Sequence, residues 1–552
     1  MTNTDQDKRY TDWVKKNWPI LVVFVTVIFI SLQPLGNQII WDDAYLISAN
    51  PNLGDTGKLW DTLSQPFWHN SAFTHTALTG FWRPVTSLLF WSIGSTSTAA
   101  WFLHLISVLA AMGTACLAGI AFRKWLPEKI SAQAIAIACS AYFLHPVTAE
   151  TYCMVANVSD HLALIFFFLC SIAALRFYRN PKLFPWLPIV AITAFLSCGS
   201  KEFGVWTAVI PLLALAGYRK ITGVSPLKYR AMLSLWCFTL LPVTTFLILR
   251  HIILNNAEFT QNIEWSAIQF EPFWLGLGVA ARQIFYLSPF PTDIAAEPEW
   301  FYRTLTSVAL GAGALFIVLD LVTKKRHLFS IGVIFFFLGI LMPSFLTVVP
   351  NSHGVYEFPS RYFHIAVLGV AMAAIPGCDK LLQNSVGKVG ILLFAAILAT
   401  QSYMRISHWE DAITLFSENV RLRPSSEKAI VTLGESYLDA HAFTEAENLI
   451  NNYRRNYEFI TPFYRAYNNS ILSQVAFMRD GNFSKALYLA KKAVEDAPST
   501  PLFVLRLVTI LETTNHPDLA EDILLRAIES NSFSSPQRKN LQHALDFIQN
   551  VN

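Results

Sequence analysis

The stretch Trp41-Asp42-Asp43-Ala44-Tyr45 follows an apolar run, WPILVVFVTVIFISLQPL, that covers residues Trp18–Leu35. An apolar run of this length is typical of a helix that crosses a bilayer. Two adjacent carboxylates are therefore placed where the chain leaves the membrane. An Asp near the bilayer centre costs about 2.5–3.5 kcal/mol, whereas at the boundary it is tolerated and often functional. The rest of the chain is interpreted as a membrane scaffold that brings a lipid-borne substrate to this pair.

The composition is typical of a polytopic membrane protein with a polar appendage. Of the 552 residues, 53% are hydrophobic and only 14% are charged, whereas soluble domains average about 25% charged residues. The net charge of +3 is too small to indicate a nucleic-acid partner. The 7 Cys contain no CxxC pair, so neither a zinc site nor a disulfide framework is predicted. Because Trp18–Leu35 lacks a cleavage site of small residues, we expect a retained anchor.

About eleven apolar segments are predicted to cross the membrane. A further segment, Trp274–Phe290, carries Arg282, Gln283 and several Pro, and is expected to be re-entrant or interfacial. The predicted spans are Trp18–Leu35, Ala99–Phe122, Ile130–Phe143, Asp160–Phe177, Leu183–Cys198, Gly204–Gly217, Met232–His251, Thr304–Val322, Phe329–Val348, Tyr362–Ile375 and Val389–Tyr403.

The linkers between these spans alternate in charge. Basic ones, such as Arg219–Arg230, alternate with linkers that carry fewer Lys and Arg, such as Asp42–Gly80. The positive-inside rule places the basic linkers in the cytoplasm, provided that Trp274–Phe290 does not cross. The N-terminus is then cytoplasmic and the C-terminus extracytoplasmic. The short N-terminus and compact loops favour a bacterial inner (plasma) membrane with a periplasmic face.

The chain changes character at about Ser407, where it becomes charged and helical in pattern. Phe443-Thr444-Glu445-Ala446 recurs as Phe483-Ser484-Lys485-Ala486 and, more loosely, as Pro517-Asp518-Leu519-Ala520. A period of about 34–40 residues is typical of helix-turn-helix solenoids of the tetratricopeptide type. We therefore predict an all-α chain with a transmembrane domain over residues 1–405 and a tetratricopeptide-like α-solenoid over residues 406–552.

Polar residues that could carry chemistry collect on the predicted outer side, many at the ends of apolar spans. That side carries carboxylates, cations and imidazoles, whereas the cytoplasmic side carries mostly plain Lys and Arg. The outer set is Asp42, Asp43, His69, His75, Arg83, His145, Glu150, Asn157, Asp160, His161, Lys201, Glu202, Arg282, His353, Glu357, Arg361 and His364.

Five short motifs occur in order along the chain, at matching topological positions. With them, the chain resembles the membrane O-mannosyltransferases that carry tetratricopeptide repeats, and more broadly the multi-span glycosyltransferases of the GT-C fold. The resemblance covers nearly the whole chain. The motifs are Trp41-Asp42-Asp43, Phe81-Trp82-Arg83-Pro84-Val85-Thr86, His145-Pro146-Val147-Thr148-Ala149-Glu150, Ser200-Lys201-Glu202 and Ser360-Arg361-Tyr362.

The resemblance implies an enzyme of the EC 2.4 type that moves a sugar from a polyprenyl-phosphate donor to a hydroxyl. Such a transfer needs a base for the hydroxyl and cations for the departing phosphate. The resemblance places the base in the acidic pair, as Asp42, with Asp43 positioning it or the acceptor. One displacement predicts inversion at the anomeric carbon. The expected phosphate-binding residues are Arg83, Lys201, Arg282 and Arg361, and the expected site-lining residues are His145, Glu150, Glu202, His353 and Tyr362.

The expected acceptor is an exported protein, such as a secreted or pilus-like subunit, which the repeats align. Membrane lipids are further expected partners. A lipid or surface glycan is an alternative acceptor. Alternatives of another class are a transporter for lipid-linked saccharides and a non-catalytic assembly scaffold.

The individual residues also have simpler interpretations. The acidic pair could cap an interfacial helix, Arg83 could extend to the headgroups, and Lys201 and Glu202 could neutralise each other. No essential metal is predicted, although a divalent ion near the acidic pair is an alternative.

Overall fold

In the computed structural model, the described residues are 3–48, 50, 52–68, 81–94, 99–125, 130–180, 184–210, 229–256, 271–285, 291–296, 313, 327–346, 356–530, 533 and 535–551. Most of them are helical, and the few strand residues described form one two-stranded sheet. The predicted all-α fold class, a transmembrane helical part followed by a helical C-terminal region, is confirmed.

The N-terminal part contains long apolar helices together with shorter ones. Their bounds are α1 Asn3–Leu32, α2 Leu59–Ser64, α3 Pro84–Gly94, α4 Ala100–Trp125, α5 Ala132–Phe143, α6 Pro146–Cys153, α7 Val158–Arg179, α8 Trp186–Ser200, α9 Tyr229–Asn256, α10 Glu271–Phe285, α11 His327–Leu346, α12 His364–Leu381 and α13 Ser385–His408.

Among the described residues, six stretches are long and apolar enough to cross a membrane, or seven if the bent pair α5 and α6 is one span. The chain is a multi-pass membrane protein. Shorter apolar helices also occur, among them α8 and the part Ile331–Leu341 of α11. The six stretches are Trp18–Gly36, Ala100–Lys124, Val155–Arg179, Ala231–Asn255, Ser360–Leu381 and Ser385–His408.

Two of the predicted spans are only partly tested by these helices. The first residues of Gly204–Gly217 lie in a 3-10 helix, Glu202–Val209, which is tighter than an α-helix. The remainder of that span, and nearly all of Thr304–Val322, lie outside the described residues. Helix α10 covers the first part of the predicted re-entrant segment.

The bend between α5 and α6 measures 63° and has a local cause. Pro146 is at the first helical position of α6, where its missing N–H is tolerated. Inside a continuous helix the same residue would remove a backbone hydrogen bond and clash with the preceding turn, so the helix breaks here. The His145 side chain accepts a hydrogen bond from the Val147 amide and so caps the new helix. This break carries the fully buried Glu150 on a short helix of its own.

The core of the membrane part is aromatic where α4, α7 and α11 meet. Phe335 stacks on Phe168 with 6.1 Å between ring centroids and meets Phe122 and Phe167 edge-on at 6.4 and 5.8 Å. Offset and edge-on arrangements are the favourable ones for aromatic rings. These contacts fix the spacing of the three helices.

The sheet pairs β1 (Asp293–Ala296) antiparallel with β2 (Tyr356–Pro359), with Asp293 opposite Pro359 and Ala295 opposite Glu357. Successive side chains on a strand point to opposite faces. Asp293 and Glu357 therefore share one face, and both pair with cations of the C-terminal helices, Lys428 and Arg423.

The C-terminal region consists of antiparallel helix pairs. The turn before the second helix of a pair holds a residue in the left-handed conformation at His441, Gly481 and Asn515, each two residues before a helix begins. These turns coincide with the three repeated sequence motifs and account for their spacing. The tetratricopeptide assignment itself stays a prediction. The helices are α14 Ala412–Leu422, α15 Glu427–Asp439, α16 Phe443–Asn456, α17 Pro462–Met478, α18 Phe483–Asp496, α19 Pro501–Thr513, α20 Pro517–Glu529 and α21 Ser535–Val551.

The C-terminal helices pack directly against the end of the membrane part that carries the Trp41 turn. The Gln38 amide donates to the Glu410 carbonyl at 2.9 Å. Trp409 is 1% exposed and lies against Trp41. The predicted domain boundary at 405/406 falls near the end of α13 and is not tested by these contacts.

We expect Phe335→Ala to destabilise the protein by about 3–5 kcal/mol, because the lost ring leaves a cavity between three helices. The matched control is Phe24→Ala, since Phe24 is 58% exposed on an apolar span. The measurement is the thermal unfolding midpoint of both variants in one detergent. Equal midpoints would show that the aromatic cluster does not hold these helices.

Candidate active site

Asp42 is partly buried, and its carboxylate has no hydrogen-bond or ion-pair partner among the described residues. Burial raises its pKa above the usual 3.8, against the charges of Arg361 and Lys428, while the charge of Asp293 adds to the rise. Desolvation disfavours the charged form of a carboxyl group. An unpaired carboxylate with a raised pKa is suited to accept a proton.

Asp43 has different surroundings, although it is the next residue. It is 1% exposed, and its two oxygens accept hydrogen bonds of 2.6 Å from the amides of Val155 and Ala156. Burial raises its pKa to about 7, and the two amide bonds act in the opposite direction. Both oxygens are thus used to tie the Asp43 segment to the 3-10 turn Val155–Asn157 that precedes α7, and this holds Asp42 in place through the backbone.

Trp41 adopts a left-handed backbone conformation, with φ of 56°. Such a conformation costs a non-glycine residue on the order of 1–3 kcal/mol and persists where the surroundings hold it. The Trp41 ring lies 6.1 Å from the ring of Trp409 and 5.5 Å from that of Phe416. Two aromatic residues at the start of the C-terminal region therefore hold the turn that presents Asp42.

Arg361 is a buried cation, 7% exposed, whose guanidinium carbon lies 5.0 Å from the centroid of the Trp41 ring and 5.3 Å from that of Tyr362. Its Nη1 is 3.9 Å from a Glu150 oxygen, which is too long for a hydrogen bond. Nε and Nη1 have no hydrogen-bond partner among the described residues. A buried, under-paired guanidinium is costly unless an anion comes to it.

Glu150 joins three segments of the chain from a position without solvent exposure. Its Oε2 accepts hydrogen bonds from Arg405 Nη2 at 2.9 Å and from the Ser360 hydroxyl. The predicted site-lining residue therefore connects α6, α13 and the segment next to Arg361. The arrangement favours a positioning role for Glu150.

Arg83 and Glu202, both predicted site residues, form a two-point ion pair, with Nε and Nη2 of Arg83 at 2.9 and 2.8 Å from the carboxylate. The Arg83 guanidinium also lies over the rings of Phe67 and Phe81, at 5.0 and 4.7 Å. The simpler alternative interpretation of the sequence paired Lys201 with Glu202. The structure instead pairs Glu202 with Arg83, whose planar fork matches a carboxylate.

Lys201 pairs with Asp160, and this pair continues as a buried polar chain. The other Asp160 oxygen is 3.3 Å from His364 Nε2, and His364 Nδ1 is 3.1 Å from the Tyr142 hydroxyl. The Lys201 ammonium also lies 5.2 Å from the centroid of the Tyr362 ring. Tyr362 thus contacts both Lys201 and Arg361. We call Arg83, Lys201 and Arg361 the cation group.

Three predicted site residues are not brought into this cluster by the described contacts. Both ring nitrogens of His145 are occupied by backbone groups, the Val147 amide and the Ile284 carbonyl, which leaves it a structural cap. Arg282 is exposed on α10. His353 lies outside the described residues.

Several contributing residues were missed by sequence reasoning as site members. Asp293 and Lys428 form an ion pair of 2.7 Å, and their charges act on Asp42. Arg405 was missed because it lies just beyond the predicted span Val389–Tyr403. A charged residue at the end of an apolar span could have been the signal. No local pattern marks Lys428, which lies on a helix of the C-terminal region.

The described residues do not form a metal site, since they contain no group of three or more His, Cys, Asp or Glu placed to hold an ion. The Asp43 oxygens are already engaged with amides. No step of the chemistry below is routed through a metal.

We expect Asp42→Asn and Asp43→Asn to change stability in opposite directions. A folded-state pKa raised above 3.8 makes the Asp42 carboxylate cost stability as pH rises through that raised pKa. Asp42→Asn should therefore raise the thermal midpoint at neutral pH, with the gain vanishing below pH 3.8. Asp43→Asn leaves an amide donor without its acceptor and should cost about 1–3 kcal/mol.

Thermal midpoints measured in detergent across about pH 3–8 check both expectations. Equal losses in the two variants would contradict the different surroundings assigned to the two carboxylates.

Comparison with known proteins agrees with the resemblance drawn from the motifs. No protein-family model matches the chain. A protein O-mannosyl-transferase of Caenorhabditis elegans is 22% identical over 445 residues, which cover 78% of this chain and 61% of the relative. This chain therefore spans less than two thirds of the length of the curated relative.

Two solved structures of an Archaeoglobus fulgidus oligosaccharyltransferase, one tethered to an acceptor peptide and one in the apo form, were also matched. They are 14% and 15% identical, covering 79% and 78% of this chain and 59% and 60% of theirs, each with a TM-score of 0.36. A likeness this slight carries no argument. The sequence similarity to a protein O-mannosyl-transferase confirms the resemblance of this chain to the membrane O-mannosyltransferases.

Proposed function

We propose that this chain is a membrane glycosyltransferase of the O-mannosyltransferase type. It takes one sugar from a polyprenyl-phosphate donor and transfers it to a hydroxyl of an exported protein on the extracytoplasmic face of the membrane. In a bacterium this membrane is the inner (plasma) membrane, with the N-terminus in the cytoplasm and the C-terminal helices in the periplasm.

The observation that carries this proposal is the meeting of an unpaired carboxylate with an under-paired buried cation. The Asp42 carboxylate has no partner among the described residues, and Arg361 has two N–H groups without an acceptor there. Trp41 links them, because it precedes Asp42 in the chain and its ring contacts the Arg361 guanidinium. The transfer needs a base and a phosphate-binding cation, and Trp41 contacts or adjoins a candidate for each.

The reaction is a single displacement at the anomeric carbon. Asp42 takes the proton of the acceptor hydroxyl as its oxygen forms the new bond to that carbon. The bond from the anomeric carbon to the phosphate oxygen breaks, and the phosphate leaves with the electron pair. Attack from the side opposite the leaving phosphate gives inversion, and Asp43 keeps Asp42 in position.

The cation group stabilises the negative charge that grows on the departing phosphate. Arg361 is the principal member, because Arg83 and Lys201 are already paired with Glu202 and Asp160. Those paired cations shape the field around the phosphate, and Lys201 also contacts the Tyr362 ring. Glu150 positions Arg361 by way of Ser360. Arg282 stays a predicted phosphate ligand, without a described contact that supports it.

The repeats of the C-terminal region align the acceptor protein, since stacked helix pairs form extended binding surfaces. Secreted or pilus-like subunits are the acceptors that fit an extracytoplasmic site.

We expect Asp42→Asn to lower sugar transfer by about 100- to 10,000-fold, the usual contribution of a general base. A strain lacking this protein is complemented with wild type, Asp42→Asn or the control Asp61→Asn at matched membrane levels. Asp61 lies in the same loop region, half-exposed and 3.7 Å from Lys58. Intact masses of the exported proteins are then measured.

A hexose- or pentose-sized mass restored by wild type and Asp61→Asn, but absent with Asp42→Asn, supports the proposal. Restoration by Asp42→Asn would remove Asp42 as the base. If wild type changes the mass of no exported protein, the protein acceptor is wrong, and lipids and surface glycans become the acceptors to examine.

We expect Arg361→Lys to reduce transfer by roughly 10- to 100-fold, because the charge is kept while the two-point fork for phosphate oxygens is lost. The control is Arg421→Lys, since Arg421 is 62% exposed and pairs only locally with Glu418 among the described residues. Occupancy of the modified protein at limiting enzyme level is the measurement. Full occupancy with Arg361→Lys would argue against a fork at the phosphate.

A further inference from the structure

A cleft of about 330 Å³, part of it open to solvent, lies where the C-terminal helices meet the outer end of the membrane part. We call it the interface cleft. Its walls come from Trp41, the segment 291–293, strand β2 and helices α14 and α15.

The walls of the interface cleft are fixed by paired polar groups. The Thr292 amide donates to Asn419 Oδ1, and Asn419 Nδ2 donates to the Thr292 hydroxyl, each at 2.9 Å. The Ser360 amide donates to the Thr292 carbonyl at 2.9 Å. Because segment 291–293 is held from both sides, the cleft is preformed rather than assembled by a ligand.

The interface cleft and the cation group share two residues. The Trp41 ring lines the cleft and also contacts Arg361. Burial raises the pKa of Asp42, and the charges of Arg361 in the cation group and of Lys428 and Asp293 in the cleft also act on that pKa. Asp42 is therefore near both places. A substrate in each place would therefore meet at Asp42.

The charges of the interface cleft do not suit a phosphate. Asp293 pairs with Lys428 at 2.7 Å and Glu357 with Arg423 at 3.2 Å, so the four charges cancel. The under-paired cation, Arg361, belongs to the cation group. The remaining walls offer aromatic rings, hydroxyls and an amide, which are the groups that contact a polypeptide. The cleft thus differs in chemistry from the place assigned to the donor phosphate.

We propose that the interface cleft binds a short segment of the acceptor polypeptide and directs its Ser or Thr hydroxyl to Asp42. This inference rests on the proposed function and adds where the acceptor is held. The acceptor hydroxyl gives its proton to Asp42 and its oxygen to the anomeric carbon, and the phosphate leaves with the electron pair, as above. The first helix pair of the C-terminal region is then part of the active site rather than a distant docking module.

The test fills the cleft without touching the cation group or the acidic pair. Thr432 lines the cleft on α15, and its hydroxyl donates only to the Lys428 carbonyl one turn earlier, at 2.7 Å. Thr432→Trp places a large ring in the space. The matched control is Thr513→Trp, because the exposed Thr513 makes the same bond within its own helix, to Thr509 at 2.8 Å.

The probe is a fluorescein-labelled synthetic peptide with the sequence of the segment that gains mass in the complemented strain. Its binding to the purified full-length chain in detergent is followed by fluorescence anisotropy. We expect Thr432→Trp to weaken binding at least about tenfold, which is about 1.4 kcal/mol. Thr513→Trp and Asp42→Asn should bind as tightly as wild type, the latter because the base is removed while the cleft stays intact.

Thermal midpoints are recorded for each variant, and Ala429→Phe, one turn away in the same wall, replaces Thr432→Trp if that variant unfolds early. Unchanged peptide binding by the variant that fills the cleft would overturn this inference while the proposed function stands. A strain in which wild type adds mass to no exported protein would overturn both.

Discussion

The carboxylate of Glu150 is the buried charge on which the packing around Arg361 depends. It lies without solvent exposure and accepts hydrogen bonds from Arg405 and Ser360. Burying a charge costs desolvation free energy, which is offset only when the ion-pair and hydrogen-bond geometry is good. Because its partners come from segments far apart in the sequence, the charge forces α6, α13 and the Ser360 segment together. Arg361 follows Ser360 directly and is placed by the same contacts.

A second constraint acts through the Trp41 turn. Its left-handed backbone is unfavourable for a large side chain and is held by the rings of Trp409 and Phe416. The membrane part therefore does not define the position of Asp42 alone. The start of the C-terminal region completes it, and this explains why the two regions meet without a linker at this point.

The distribution of pairing among the charged residues separates structural roles from chemical ones. Arg83 and Lys201 have close carboxylate partners, whereas Arg361 keeps two unpaired N–H groups among the described residues. Likewise Asp43 is saturated by two amides, whereas its neighbour Asp42 is not. Asp42 and Arg361 therefore keep polar groups that a substrate can engage.

The sequence by itself determined the all-helical architecture, the six described stretches that are long and apolar enough to cross a membrane, and the helix pairs after residue 405. These follow from local properties, namely hydrophobic run length, capping and turn residues, and a repeat period. Only the tertiary structure decided which carboxylate of the acidic pair is unpaired, that Glu202 serves Arg83 rather than Lys201, and that Asp293 and Lys428 act on Asp42. Arg83 and Glu202 lie 119 residues apart, and Glu150 and Arg405 lie 255 apart. No local pattern specifies such partners, because a side chain's charge state and contacts depend on what packing brings beside it.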